Sequence, residues 1–184
     1  MHQQQKYGVK VVAGDYYVTK QDEMIGTVLG SCVAVCIRDP KAGVGGINHF
    51  VLPDVDCDIL SASNRYGVFA MEQLMNGIIR YGGQRENFEI KLVGGGNITG
   101  GATNIGQINI DFIKNFLSIE GFEHVSEDLG GNRPRKIMYN ITQGKLLVKK
   151  LKCQHQELEV EVEAKRHNLR ILNQEYGDVE LFSD

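Results

Sequence analysis

Two side chains in this sequence could form a nucleophile and its base. Cys32 follows a Gly30-Ser31 turn in the run TVLGSCVAVCIRDP, and His49 sits among apolar residues in GGINHFVLP. Cysteine attacks as the thiolate. A neighbouring imidazole can take the thiol proton and hold the anion as an ion pair. A Gly-Ser turn bends tightly and aims backbone amides toward the thiol. Gly30, Ser31 and the N–H of Cys32 could therefore hold a developing oxyanion. Thr27 lies just upstream. Its hydroxyl could hydrogen-bond the second ring nitrogen of His49 and fix the tautomer, the part played by the third member of a triad.

The residue types alone leave a second reading open. Cys32 beside Val33 and Ala34 also fits a buried, inert small hydrophobe. His49 also fits a hydrogen-bonded core histidine. Cys36 has the same apolar setting without the turn and is assigned to the core. Cys32 and Cys36 are spaced C-x3-C, not the C-x2-C of redox and zinc motifs, so a thiol redox or metal role for the pair finds little support. Cys153 and His155 lack a second pair to complete four ligands, so no metal site is expected. The glycine-rich stretch over 94–101 lacks the closing Lys-Ser/Thr of a phosphate loop.

The elements that must position these residues follow from periodicity. Residues 31–38 are rich in Val, Ile and Cys and read as a buried strand. Asp39, Pro40 and Gly43 supply turn chemistry. Residues 44–52 return as a second strand, so the two make a hairpin carrying Cys32 at one end and His49 near the other. Residues 27–31 read as a turn approach to that hairpin. Upstream, residues 7–20 form two extended pieces broken at Gly14-Asp15.

Downstream, residues 54–64 read as a polar loop in which Ser63 or Asn64 caps a helix. That helix covers 66–81 and stops at Gly82-Gly83. A strand over 88–93 enters the glycine stretch. A second helix covers 104–120, with Ile105, Ile108, Phe112, Phe116 and Ile119 on one face. Three short strands, 124–128, 135–140 and 145–150, end the pattern, the last two joined as a hairpin by Thr142-Gln143-Gly144. Strands and helices mix without a βαβ repeat, so the expected class is α+β.

Composition narrows the function classes. The 184 residues include 20 Lys+Arg and 23 Asp+Glu, for a net charge of −3. No large basic field is available to neutralise phosphates, so nucleic acid is not expected as a partner. The N-terminus MHQQQKYG has no apolar signal segment, and no apolar run approaches the ~20 residues that span a bilayer, so a cytoplasmic protein is expected. Roughly 70% of the unfolded surface is buried in a chain of this length, enough to fold without disulfide or metal.

Longer motifs carry a resemblance. LGSCVAVCIRDP, GGINHFVLPD, KLVGGGNI and GGNRPRKIMYNITQGKLLVKKL resemble the CheD family, the chemoreceptor glutamine deamidases; YYVTKQDEMIGTVLGSC and the closing GDVELF fit the same pattern. The resemblance runs over residues 11–152. It implies that Cys32 rather than Cys36 is the nucleophile, that His49 is its base, and that Thr27, ahead of the Gly-Ser-Cys turn, is the third catalytic residue. It implies mixed sheets packed together with helices outside, similar to bacterial toxin deamidases. A catalytic domain over 1–152 would be followed by an extension over 153–184, helical and then a short end piece.

The implied reaction is hydrolysis of glutamine side-chain amides on chemoreceptor cytoplasmic domains, giving glutamate and ammonia, with no metal or organic cofactor. A CheC-like chemotaxis phosphatase is the implied partner. The alternative is a regulatory binding module for that phosphatase or the receptor, with little catalysis. A substrate side chain on a coiled coil implies a shallow groove, with Cys32 open to solvent.

Overall fold

The computed structural model describes residues 8–52, 60–98 and 104–152, with side chains in the first helix described from residue 65. In chain order the elements are β1 (Gly8–Lys10), β2 (Tyr16–Thr19), β3 (Met24–Leu29), β4 (Val33–Asp39), β5 (Val44–Phe50), α1 (Leu60–Arg80), β6 (Glu89–Gly94), α2 (Ile105–Ile119), β7 (Ser126–Leu129), β8 (Arg135–Asn140) and β9 (Lys145–Lys150). They build two mixed sheets, one ordered β1-β3-β8-β9 and the other β2-β5-β4-β6-β7. The class is α+β, as expected.

The five-stranded sheet lies between two packing partners. Val33, Val35 and Ile37 of β4 point to one face. There they join Met71, Leu74 and Ile78 of α1 and Ile110, Ile113 and Leu117 of α2. Ala34 and Cys36 point to the other face, where they meet Ile25 and Leu29 of β3 and Ile137 and Tyr139 of β8. The layers therefore run helices, five-stranded sheet, four-stranded sheet. Burial on both faces explains why β4 and β5 are buried along almost their whole length instead of on alternate residues. Each fully buried Ile or Leu here is worth about 1.5–3 kcal/mol.

The β4–β5 hairpin forms as the sequence predicts, antiparallel from Val33↔Phe50 to Asp39↔Val44. Asp39 closes its turn by accepting from the N–H groups of Lys41 and Ala42. Gly46 lets α1 cross close over β5, because a Cβ there would fall 2.9 Å from Leu74 Cδ1. The β8–β9 hairpin also forms, with Asn140↔Lys145 as its closing pair.

Three local expectations are corrected. Residues 27–31 are not a turn approach throughout, since β3 runs through Leu29. The Gly30-Ser31 turn suggested a bend, but pairing with β8 keeps the chain extended through Leu29. Ser63 and Asn64 do not cap α1; they lie inside a helix that begins by Leu60. The amides that follow them already donate to carbonyls one turn back, so none is left for a cap.

The buried face of α2 is also shifted. Gly106, Asn109, Ile110, Ile113, Phe116 and Leu117 are buried, whereas Ile108 and Ile119 are 44% and 74% exposed. Apolar residues cover more than one face of this helix, so periodicity had two solutions. Gly106 decides between them, because it packs against the backbone of Gly95 where a Cβ would fall 2.4 Å from the Gly95 carbonyl oxygen. The expected extension over 153–184 lies outside the described residues.

Candidate active site

His49 stands on β5 opposite Ala34 of β4. Strand alternation turns it, like Ile47, toward the four-stranded sheet. Thr27 stands on β3 opposite Ile137. It shares a strand face with Ile25 and Leu29, so it faces the five-stranded sheet. The two side chains meet between the sheets, with Thr27 Oγ1 2.8 Å from His49 Nδ1. A hydroxyl at Nδ1 directs proton exchange with a thiol to the other ring nitrogen, Nε2.

Cys32 lies where the chain steps from β3 in one sheet to β4 in the other. It shares its strand face with Ala34 and Cys36, and hence with His49. Continuing the hairpin register past Val33↔Phe50 sets Cys32 opposite Val51. That makes Cys32 and His49 a diagonal cross-strand pair, separated by roughly 7–8 Å of backbone and within reach of an imidazole. Thr27, Cys32 and His49 thus converge on one side of the interlayer. Thr27 is 3% exposed and the other two 2% each. The thiol is therefore covered, contrary to the expectation of a Cys32 open to solvent.

The Gly-Ser-Cys turn is tied down by its carbonyls. Gly30 C=O accepts from Gly96 N–H at 2.8 Å and Cys32 C=O from Gly95 N–H at 2.7 Å. Ser31 C=O accepts from Asn109 Nδ2 at 3.0 Å. The described peptides include no cis bond. In a trans peptide the N–H points opposite the carbonyl of the preceding residue. The N–H groups of Ser31 and Cys32 are thereby turned away from the groups that hold the Gly30 and Ser31 carbonyls.

The glycine stretch that failed as a phosphate loop acts as a bed for this turn. Gly94 has φ +119°, and a Cβ there would fall 2.2 Å from the Cys32 carbonyl oxygen. Only glycine gives a backbone approach that close.

On the far side of His49, Asp15 C=O accepts from His49 N–H at 3.0 Å and Gly14 N–H donates to His49 C=O at 2.7 Å. Tyr66 of α1 also belongs to this neighbourhood. Burial pushes its hydroxyl well above the usual tyrosine range, and the adjacent acids Asp15 and Cys32 push it further. It stays neutral beside the site.

Cys36 is the inert cysteine. Burial drives its thiol far up, with Lys91 only partly opposing. It lies four residues along the strand from Cys32, roughly 13 Å at ~3.3 Å per residue. That is too far for a disulfide, so the pairing that a C-x3-C redox reading needs is not available. Among the described residues, no group of three or more His, Cys, Asp or Glu could hold a metal ion. No described helix is long and apolar enough to cross a membrane.

Sequence reasoning missed Asn109 and Tyr66. Asn109 carries a legible signal, a polar residue one step from Ile110 inside an apolar helical stripe. Tyr66 carries none, because only the packing of α1 brings it near Cys32.

Comparison with known proteins agrees with the motif resemblance. The family model described as CheD chemotactic sensory transduction matches residues 51–150. A protein of Hahella chejuensis is 43% identical over 183 residues, covering 97% of this chain and 87% of its own length. One from Herminiimonas arsenicoxydans is 47% identical over 179 residues, covering 95% and 88%. One from Hydrogenovibrio crunogenus is 46% identical over 178 residues, covering 94% and 93%. All three bear the name probable chemoreceptor glutamine deamidase CheD. The family-model match begins after His49, whereas the match to the Hahella protein is long enough to include Thr27, Cys32 and His49.

Proposed function

This chain belongs to the CheD family, and on that premise we propose that it hydrolyses glutamine side-chain amides of chemoreceptors to glutamate and ammonia. His49 Nε2 takes the Cys32 thiol proton while Nδ1–H donates to Thr27 Oγ1. The thiolate forms a bond to the carboxamide carbon, and the carbonyl π electrons move to oxygen. The N–H groups of Ser31 and Cys32 hold that oxyanion. When the oxyanion collapses, the C–N bond breaks, and imidazolium protonates the departing ammonia. Water then gives its proton to His49 and attacks the thioester. The C–S bond breaks, releasing glutamate, and the thiol is restored.

The observation that carries the chemistry is the 2.8 Å contact between Thr27 Oγ1 and His49 Nδ1 on the face that bears Cys32. The catalytic unit is assigned to residues 1–152, acting in the cytoplasm with a CheC-like phosphatase as regulatory partner. The fold likeness to bacterial toxin deamidases that the family resemblance implies is part of the proposal.

The test is deamidation of a receptor cytoplasmic fragment, read by peptide mass. Each modified glutamine gains about one dalton, and the gain should disappear in Cys32→Ala and His49→Ala. A wild-type protein that leaves every receptor glutamine unchanged would falsify the proposal. The covered position of Cys32 favours a second reading, a binding module with little catalysis. In that case Cys32→Ala would still complement a deletion strain in chemotaxis.

A further inference from the structure

Asn109 is wholly buried in α2, and the deamidation chemistry assigns it no part. Its side chain spans two segments. Oδ1 accepts from Leu52 N–H at 2.8 Å, and Nδ2 donates to Ser31 C=O at 3.0 Å. In the hairpin register, whose last pair is Val33↔Phe50, Ser31 falls opposite Leu52. Two backbone groups that would face each other in a longer ladder are instead joined through one carboxamide. Asn109 therefore sits where a ladder bond would be, one amide group wider than a direct bond.

We propose that Asn109 is a positioning residue that sets the separation of the two strand ends carrying Cys32 and His49. Cys32 lies between Ser31 and the first laddered residue, Val33. His49 lies three residues before Leu52. A direct Ser31–Leu52 bond would close the strands at the level of Cys32 and its opposite residue, Val51. The inserted carboxamide props them open there and fixes the diagonal Cys32–His49 geometry. By holding Ser31 C=O, it also fixes the opposite direction of the Cys32 N–H. Buried amides with both ends satisfied are rigid, and a positional error of about 1 Å at a reacting centre can cost on the order of 100-fold.

This inference rests on the deamidase reading for its activity arm but not for its thiol arm. The variant to make is Asn109→Asp. It keeps the shape and the acceptor for Leu52 N–H. It replaces the donor to Ser31 C=O with a carboxylate oxygen. The expected result is a folded protein whose kcat on the receptor fragment falls roughly 10- to 100-fold with KM within about twofold. The pH profile of Cys32 alkylation, followed by peptide mapping, should shift as well. Because the charge that Asn109→Asp introduces can by itself move that profile, the uncharged Asn109→Ser decides this arm: a lost hydrogen bond with only a structural role would lower its thermal stability and leave its profile in place.

Asn109→Ser, a smaller side chain with both a donor and an acceptor, is tested under the same two readouts and carries both should Asn109→Asp fail to fold. Unchanged kcat and an unchanged alkylation profile in a folded variant would overturn the proposal. If the wild type itself proves inactive on receptors, the deamidase reading fails alone, and the alkylation profile still decides the role of Asn109.

Discussion

Thr27 and His49 lie 22 residues apart in the chain and on different sheets, yet their Oγ1 and Nδ1 atoms stand 2.8 Å apart in the buried interlayer. The contact crosses from β3 to β5 while Cys32 sits on the connection between the sheets. A shift of one sheet over the other would therefore disturb the histidine and the thiol together.

The first prediction concerns that contact. Thr27→Val removes the hydroxyl and keeps the volume, so Nδ1 loses its partner and the tautomer is no longer selected. Deamidation kcat should drop roughly 10- to 1000-fold, with Thr27→Ser recovering most of it. Steady-state kinetics on a receptor fragment measure both. Equal activity of Thr27→Val and wild type would remove Thr27 from the mechanism.

Cys36 should behave as core. Cys36→Ala is expected to lose about 1–2 kcal/mol in urea unfolding, with deamidation within about twofold of wild type. Iodoacetamide on the native protein should label Cys32 ahead of Cys36, as read by peptide mapping. Preferential labelling of Cys36 would contradict both its burial and its raised thiol pKa.

Gly94 should tolerate no side chain. Gly94→Ala combines φ +119° with a Cβ 2.2 Å from the Cys32 carbonyl oxygen. A loss of about 2–4 kcal/mol is expected, together with loss of deamidation in whatever fraction remains folded. Gly121→Ala is the control. It has positive φ but open space, so it should cost about 1 kcal/mol and leave activity intact.

Acid should destabilise the hairpin turn. Burial alone would raise the Asp39 carboxyl, but hydrogen bonds from the Ala42, Gln84 and Lys41 N–H groups and the Asn87 amide outweigh it and hold the pKa below the usual carboxylate range. A depressed folded-state pKa means stability that is present above the unfolded value, near 4, and lost as pH falls through the folded value. Asp39→Asn should therefore be weaker than wild type by about 1.5–3 kcal/mol at pH 7, and the gap should narrow toward pH 2. Urea midpoints across that range test the sign. A constant gap would mean the charge plays no part.

Local pattern made much of the fold legible. The β4–β5 and β8–β9 hairpins, both helices and the α+β class follow from residue order, because turn chemistry and periodicity act over a few residues. The same reasoning misplaced residues 27–31, where the Gly30-Ser31 turn outweighed the Ile25-Thr27-Leu29 alternation. It also put Ile108 and Ile119 on the buried face of α2, where apolar residues cover more than one face and the close approach of Gly106 to Gly95 selects the one that is buried.

The site divides in the same way. Residue types offered Cys32 and His49 as candidates in one hairpin and left a core reading open; the resemblance to the family chose between the two. The expected hydrogen bond between the Thr27 hydroxyl and a ring nitrogen of His49 is present, at 2.8 Å. That Thr27 reaches His49 from another sheet depends on how two sheets stack, and no local rule encodes the contact. The burial of Cys32, the bed formed by Gly94 and Gly95, and the Asn109 carboxamide between Ser31 and Leu52 are likewise tertiary facts. Each joins backbone groups far apart in sequence, and burial decides which polar groups must find one another.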